Sequence, residues 1–75
     1  MAIVLNSIWI FKTNIVTVFD KLSIQDTLND HPGIEQWNVD LHDIDCVLRI
    51  VSRSLTADQI ILIINGLGFA CTELE

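Results

Sequence analysis

Apolar and polar positions alternate from Trp9 to Ile15, setting Trp9, Phe11, Thr13 and Ile15 on one face and Ile8, Ile10, Lys12 and Asn14 on the other. A period of two over that length predicts a strand with one buried face. The alternation stops at Val16. Thr17 followed by Asp20 is a helix-start pairing: the hydroxyl accepts an amide of the first turn and the carboxylate reaches back to the cap. Leu22, Ile24 and Leu28 supply the apolar stripe of the short helix that follows. "NDHPG" ends it, because proline cannot continue a helix, holds His31 extended and is followed by a glycine free to turn.

"IEQWNVDL" alternates again, with Trp37, Val39 and Leu41 set apart from Ile34 and opposed by Gln36, Asn38 and Asp40. A polar "HDID" turn then leads into "CVLRIVS", which puts Cys46, Leu48 and Ile50 on one face and Val47, Arg49 and Val51 on the other. The two runs form a hairpin. "LTADQIILIING" opens with Thr56 and Gln59 as a second capping pair, is apolar on nearly every side and is closed by Gly66 and Gly68. "FACTELE" completes the chain as a short final strand. The order strand, helix, strand, strand, helix, strand specifies an α+β, ferredoxin-like βαββαβ sandwich, a four-stranded antiparallel sheet with both helices on one face. Three loops then share one end: Val16 to Phe19, His42 to Asp45, and "GLGF".

The composition narrows the function. Seventy-five residues make one domain, near the lower limit for unaided folding, and the 51% apolar content supplies the core that such a short chain needs. Two cysteines are too few for a disulfide framework and point to a reduced, cytoplasmic setting. The apolar start, "MAIVLNSIWIF", has no basic leader and stops at Lys12, short of the ~20 residues of a membrane span, so it reads as strand. Ten acids against four unclustered bases (Lys12, Lys21, Arg49, Arg53) give a formal charge of −6, which repels polyphosphate. Neither nucleic acid nor membrane is an expected partner. No Ser/His/Asp or Cys/His grouping and no phosphate-cradling loop is present, so the chain is not read as an enzyme.

The whole order of motifs resembles the heavy-metal-associated (HMA) domain, the small copper or zinc chaperone module. The resemblance is carried by the first strand ending "TNI", by "HPGIEQWNVDL" where the family has a Pro-Gly turn and a V-x-V-D-like strand, by "SLTADQII" opening the second helix and by "GLGF" closing it. That family carries C-x-x-C after its first strand, two thiolates suited to a soft ion such as Cu(I). The resemblance implies that Thr17 and Asp20 occupy those two positions, and that the turn now starts a helix. A hydroxyl and one carboxylate cannot replace two thiolates for a soft cation, so no cofactor is expected.

Cys46 and Cys71 form the alternative, a relocated heavy-metal site. The first strand should lie between them, setting their backbones about 10 Å apart, beyond the ~7 Å reach of a disulfide, with sulfurs poorly placed to share one ion at ~2.3 Å each. They read as small apolar residues. Asp20, Asp40, His42, Asp43 and Asp45 lack the glycine-centred spacing of a calcium loop and read as a solvated tip, while His31 and His42 fall at opposite ends. "DHPGI" resembles the turn of ACT-like ligand-sensing modules, a further alternative, but it follows a helix where those modules place it after the first strand. What remains is surface. Ile8, Ile10, Val47 and Val51 on the open sheet face, with Leu62 and Ile63 on the second helix, form an apolar patch expected to bind a protein partner or a second copy. The expected function is a non-enzymatic interaction module linked to metal homeostasis.

Overall fold

The computed structural model describes residues 8–74; the apolar stretch expected to lead into the first strand, residues 1–7, lies outside the described residues. The elements follow in the order β1 (Ile8–Thr13), α1 (Val18–Asp30), β2 (Gln36–Val39), β3 (Leu48–Val51), α2 (Ala57–Gly66) and β4 (Cys71–Glu73). All neighbouring strands are antiparallel, in the order β2-β3-β1-β4. This is the βαββαβ arrangement, with both helices on one face of the sheet.

The core is the inward side of that sheet closed by the helices. Phe11, Val39, Leu48, Ile50 and Cys71 from the strands meet Ile24 and Leu28 of α1 and Ile60 and Ile64 of α2. Each large aliphatic side chain buried this way stabilises the fold by about 1.5–3 kcal/mol before its ordering entropy is deducted. The helices start where their sequences dictate. Asp20 N donates to Thr17 Oγ1 at 3.0 Å while Thr17 N donates to Asp20 Oδ2 at 3.2 Å. Thr56 and Gln59 repeat the exchange at 2.9 and 3.2 Å. Each pair satisfies amides that a helix start otherwise leaves without partners.

Several boundaries differ from the alternation, each for a local reason. β1 stops at Thr13, because the Thr13 hydroxyl accepts the Ile15 amide and bends the chain out of the ladder, although Ile15 still reaches the core. Leu22 does not join the buried stripe of α1; it is 54% exposed. It lies two positions from Ile24, about 200° around the helix axis, and so on the far side. β2 ends at Val39, and Leu41 falls in the following turn. Cys46 has φ of 45°, in the left-handed region, which breaks the period of two. Cys46, Val47 and Leu48 are consequently buried in succession, and β3 begins only at Leu48. Val47, expected on the open face, is 5% exposed and contributes nothing to a surface there. Gly66 is the last residue of α2 rather than its stop. Gly68, with φ of 96°, makes the stop, its amide donating to Asn65 O at 3.0 Å and the Phe69 amide to Ile64 O at 3.2 Å.

Candidate functional site

The loop end is assembled around Thr13. Its amide donates to Asp45 O at 3.1 Å and its buried hydroxyl donates to Cys46 O at 2.7 Å, pinning the β2–β3 connection to the end of β1. Across β1 on the other side, Thr13 is the register partner of Cys71, and Asn14 Oδ1 accepts the Ala70 amide at 2.8 Å. The three expected loops therefore do meet at one end. In the turn between β1 and α1, Asp20 Oδ2 accepts two amides, from Val16 at 3.1 Å and Thr17 at 3.2 Å. Thr17 Oγ1 accepts the Asp20 amide, and Ser23 Oγ donates to Asp20 O at 2.6 Å. Thr17 and Asp20 are thus brought together as partners of each other and of the backbone.

The acidic residues of the β2–β3 connection are held in the same way. Asp40 Oδ1 accepts the His42 amide at 3.0 Å and Asp43 Oδ1 accepts the Asp45 amide at 2.8 Å, each a carboxylate folding its own turn. Asp45 also pairs with Lys12 at 3.6 Å. Among the described residues no three or more His, Cys, Asp or Glu side chains converge as a metal site. Cys46 and Cys71 are both free and buried, on either side of Thr13. Burial pushes the Cys71 thiol up from 9.0 to about 11, against the thiolate that a metal needs. His31 follows α1, where its Nδ1 accepts the Gly33 amide at 2.9 Å and fixes the "HPG" turn, while His42 lies exposed in the β2–β3 connection.

Of the expected surface residues, Ile8 and Ile10 are exposed on the open sheet face, Val51 is half-buried beside them, and Val47 is buried. Ile8 lies across from Val51, whereas Ile10 lies across from Arg49. On α2, Leu62 is exposed and Ile63 half-buried against the core. Alternation assigned the outward side of β1 and of Val51 correctly. Alternation also puts Arg49 on the outward side, where the register sets it between Ile10 and Asn38, although the expected apolar patch leaves it out. Also left out are Phe19, 83% exposed in the first turn of α1, and Ile44, 96% exposed in the β2–β3 connection.

No family model and no curated protein matches the sequence. Solved structures match it in shape. The apo form of the HMA domain of the copper chaperone for superoxide dismutase superposes with a TM-score of 0.79 at 13% identity, covering 92% of this chain and 67% of that one. The solution structure of the Atx1–Cu(I)–Ccc2a complex gives a TM-score of 0.76 at 21% identity, covering 91% of this chain and 94% of that one. The chain therefore shares the fold of these domains, and its two cysteines stand far apart in sequence. Among the described residues no helix is long and apolar enough to cross a membrane.

Proposed function

We propose that this chain is a non-enzymatic HMA-like domain in which Thr17 and Asp20 replace the metal-gripping cysteines, and that it works in the cytoplasm as a protein-interaction module linked to metal homeostasis. The observation that carries this reading is the closed exchange between Thr17 and Asp20. The Asp20 oxygen that faces the turn already accepts two amides and the Thr17 hydroxyl accepts a third, which leaves the turn engaged in starting α1. A hydroxyl and a carboxylate are in any case hard donors, mismatched to Cu(I). The buried, proton-retaining Cys71 is a poor substitute. Two free cysteines accord with a reducing compartment.

Interaction is the part of the family's work that survives loss of the metal pair. One of the matching structures is a complex of Atx1, Cu(I) and Ccc2a. In this chain the open sheet face, with Ile8, Ile10 and Val51, offers the contact surface, and Leu62 and Ile63 on α2 offer a smaller one.

A competition titration against a colorimetric Cu(I) chelator tests the metal half of the reading. The native protein leaves the chelator loaded, whereas the Thr17→Cys, Asp20→Cys double variant takes up one tight equivalent. The variant stays folded by circular dichroism, since losing a cap costs about 1 kcal/mol. Tight stoichiometric Cu(I) binding by the native protein, abolished by Cys46→Ser with Cys71→Ser, overturns the reading in favour of a relocated site.

A further inference from the structure

The open sheet face differs in charge from the rest of the molecule. The register sets Ile8, Ile10 and Lys12 of β1 beside Arg49 and Val51 of β3, with Gln36 and Asn38 of β2 on one flank and Thr72 of β4 on the other. None of these positions is an acid, although the chain as a whole carries ten. Seven lie off the sheet, Asp20, Asp26 and Asp30 on α1, Asp58 on α2, and Asp40, Asp43 and Asp45 in the β2–β3 connection; Glu35 precedes β2 and pairs with Arg53, and Glu73 of β4 stands across from the inward-facing Phe11. An acidic protein thus presents one basic and apolar face.

Arg49 stands out among the four bases. Arg53 is held by Glu35 through two hydrogen bonds of 3.2 Å. Lys21 lies 6.0 Å from the centre of the Trp37 ring, and Lys12 pairs with Asp45. Among the described residues the exposed Arg49 makes neither an ion pair nor a ring contact. It borders a shallow depression of about 200 Å³ together with Ile8, Gln36, Trp37, Asn38 and Val51. A guanidinium is a planar fork of donors matched to a carboxylate, and the neighbouring Gln36 and Asn38 amides add further N–H donors. The apolar residues beside it strengthen such a bond by keeping water away.

We infer that the open sheet face docks an acidic and apolar segment of a partner protein, a carboxylate of which pairs with Arg49 while its apolar side chains cover Ile8, Ile10 and Val51. The inference rests on the interaction reading above and gives the partner a chemistry. A second copy is disfavoured: face to face it supplies no carboxylate from the residues of this face for Arg49, and two bodies of formal charge −6 repel. The same overall charge selects a segment with one or two carboxylates among apolar residues over a long acidic tract. At physiological ionic strength the Debye length is about 8 Å, so the local face governs what docks on it.

The test uses the intact protein, labelled with ¹⁵N, and two synthetic peptides, one alternating Glu with Val and Leu and the other alternating Lys with the same residues. The acidic peptide shifts the amide signals of Ile8, Ile10, Arg49 and Val51. Its affinity falls about tenfold or more in Arg49→Glu, is partly kept in Arg49→Lys, and declines as salt is raised. Both variants stay folded by circular dichroism, because Arg49 is exposed. Preferential binding of the lysine peptide to this face overturns the charge assignment while leaving the interaction reading standing. An acidic peptide that leaves these amides unmoved at millimolar concentration, or that binds Arg49→Glu equally well, overturns the inference outright. A native protein that sediments as a dimer with these amides protected gives the face to a second copy instead. Failure of the metal-free reading is seen separately, in the Cu(I) titration.

Discussion

Thr13 is the residue on which the loop end hangs, since one buried side chain donates to Cys46 O and accepts from Ile15 N. Its inward side was legible from alternation alone. Its task was not, because the acceptor lies 33 positions along the chain and is aimed by the left-handed backbone of Cys46. Nothing local announces that conformation; glycine or asparagine would have done so. Cys71, on the other side of Thr13, carries a consequence for pH. Its thiol keeps a proton up to about 11 in the folded chain, against 9.0 when exposed. Above pH 9 the unfolded chain therefore sheds a proton that the fold retains, so stability is full below that point and falls as pH rises toward 11. The loss is on the order of 2 kcal/mol. Urea unfolding across this range should show a steeper decline for the native protein than for Cys71→Ala. Equal slopes would mean that the thiol titrates as freely in the fold as outside it.

At the scale of elements, both helix starts were legible because a capping pair spans only four residues and carries its own geometry. The β2–β3 hairpin was legible as well, but the start of β3 was not, since Cys46 interrupts a period of two that the residue types otherwise sustain, and Val47 turns from expected surface into core. The end of α2 was legible only in part: the sequence offers two glycines, either of which suits a stop. The structure separates their roles. A Cβ added at Gly66 meets nothing within 4 Å, while Gly68 has φ of 96°. Gly66→Ala should therefore stabilise the protein by up to about 0.5–1 kcal/mol through helix propensity and a less flexible unfolded chain. Gly68→Ala should destabilise it by about 1–2 kcal/mol, the cost of forcing a Cβ into left-handed backbone. Chemical denaturation midpoints that move in the same direction for both variants would contradict this division.

Across the whole molecule, sequence order and patterning were enough for the architecture, whereas the distribution of charge required the register. Formal charge is a sum. Alternation sets Lys12 and Arg49 on the outward sides of their strands, and the pairing of Ile10 with Arg49 and of Arg49 with Asn38 joins them into one face, while most of the acids lie on the helices and loops and Glu73 lies on β4 across from Phe11. That separation makes a prediction about salt. The two ion pairs among the described residues, Lys12–Asp45 and Arg53–Glu35, involve substantially exposed side chains and contribute little. Repulsion among the acids of a chain at formal charge −6 is the larger effect, and added salt screens it. Raising sodium chloride from a low-salt buffer to physiological strength should therefore raise the melting temperature by several degrees. For a chain this short, about 1 kcal/mol corresponds to roughly 4–8 °C. The same salt should weaken capture of the acidic peptide at Arg49, so stability and binding move in opposite directions. A melting temperature that falls with salt would show instead that attraction across the two exposed pairs outweighs repulsion among the acids, and that the charges are balanced where they stand.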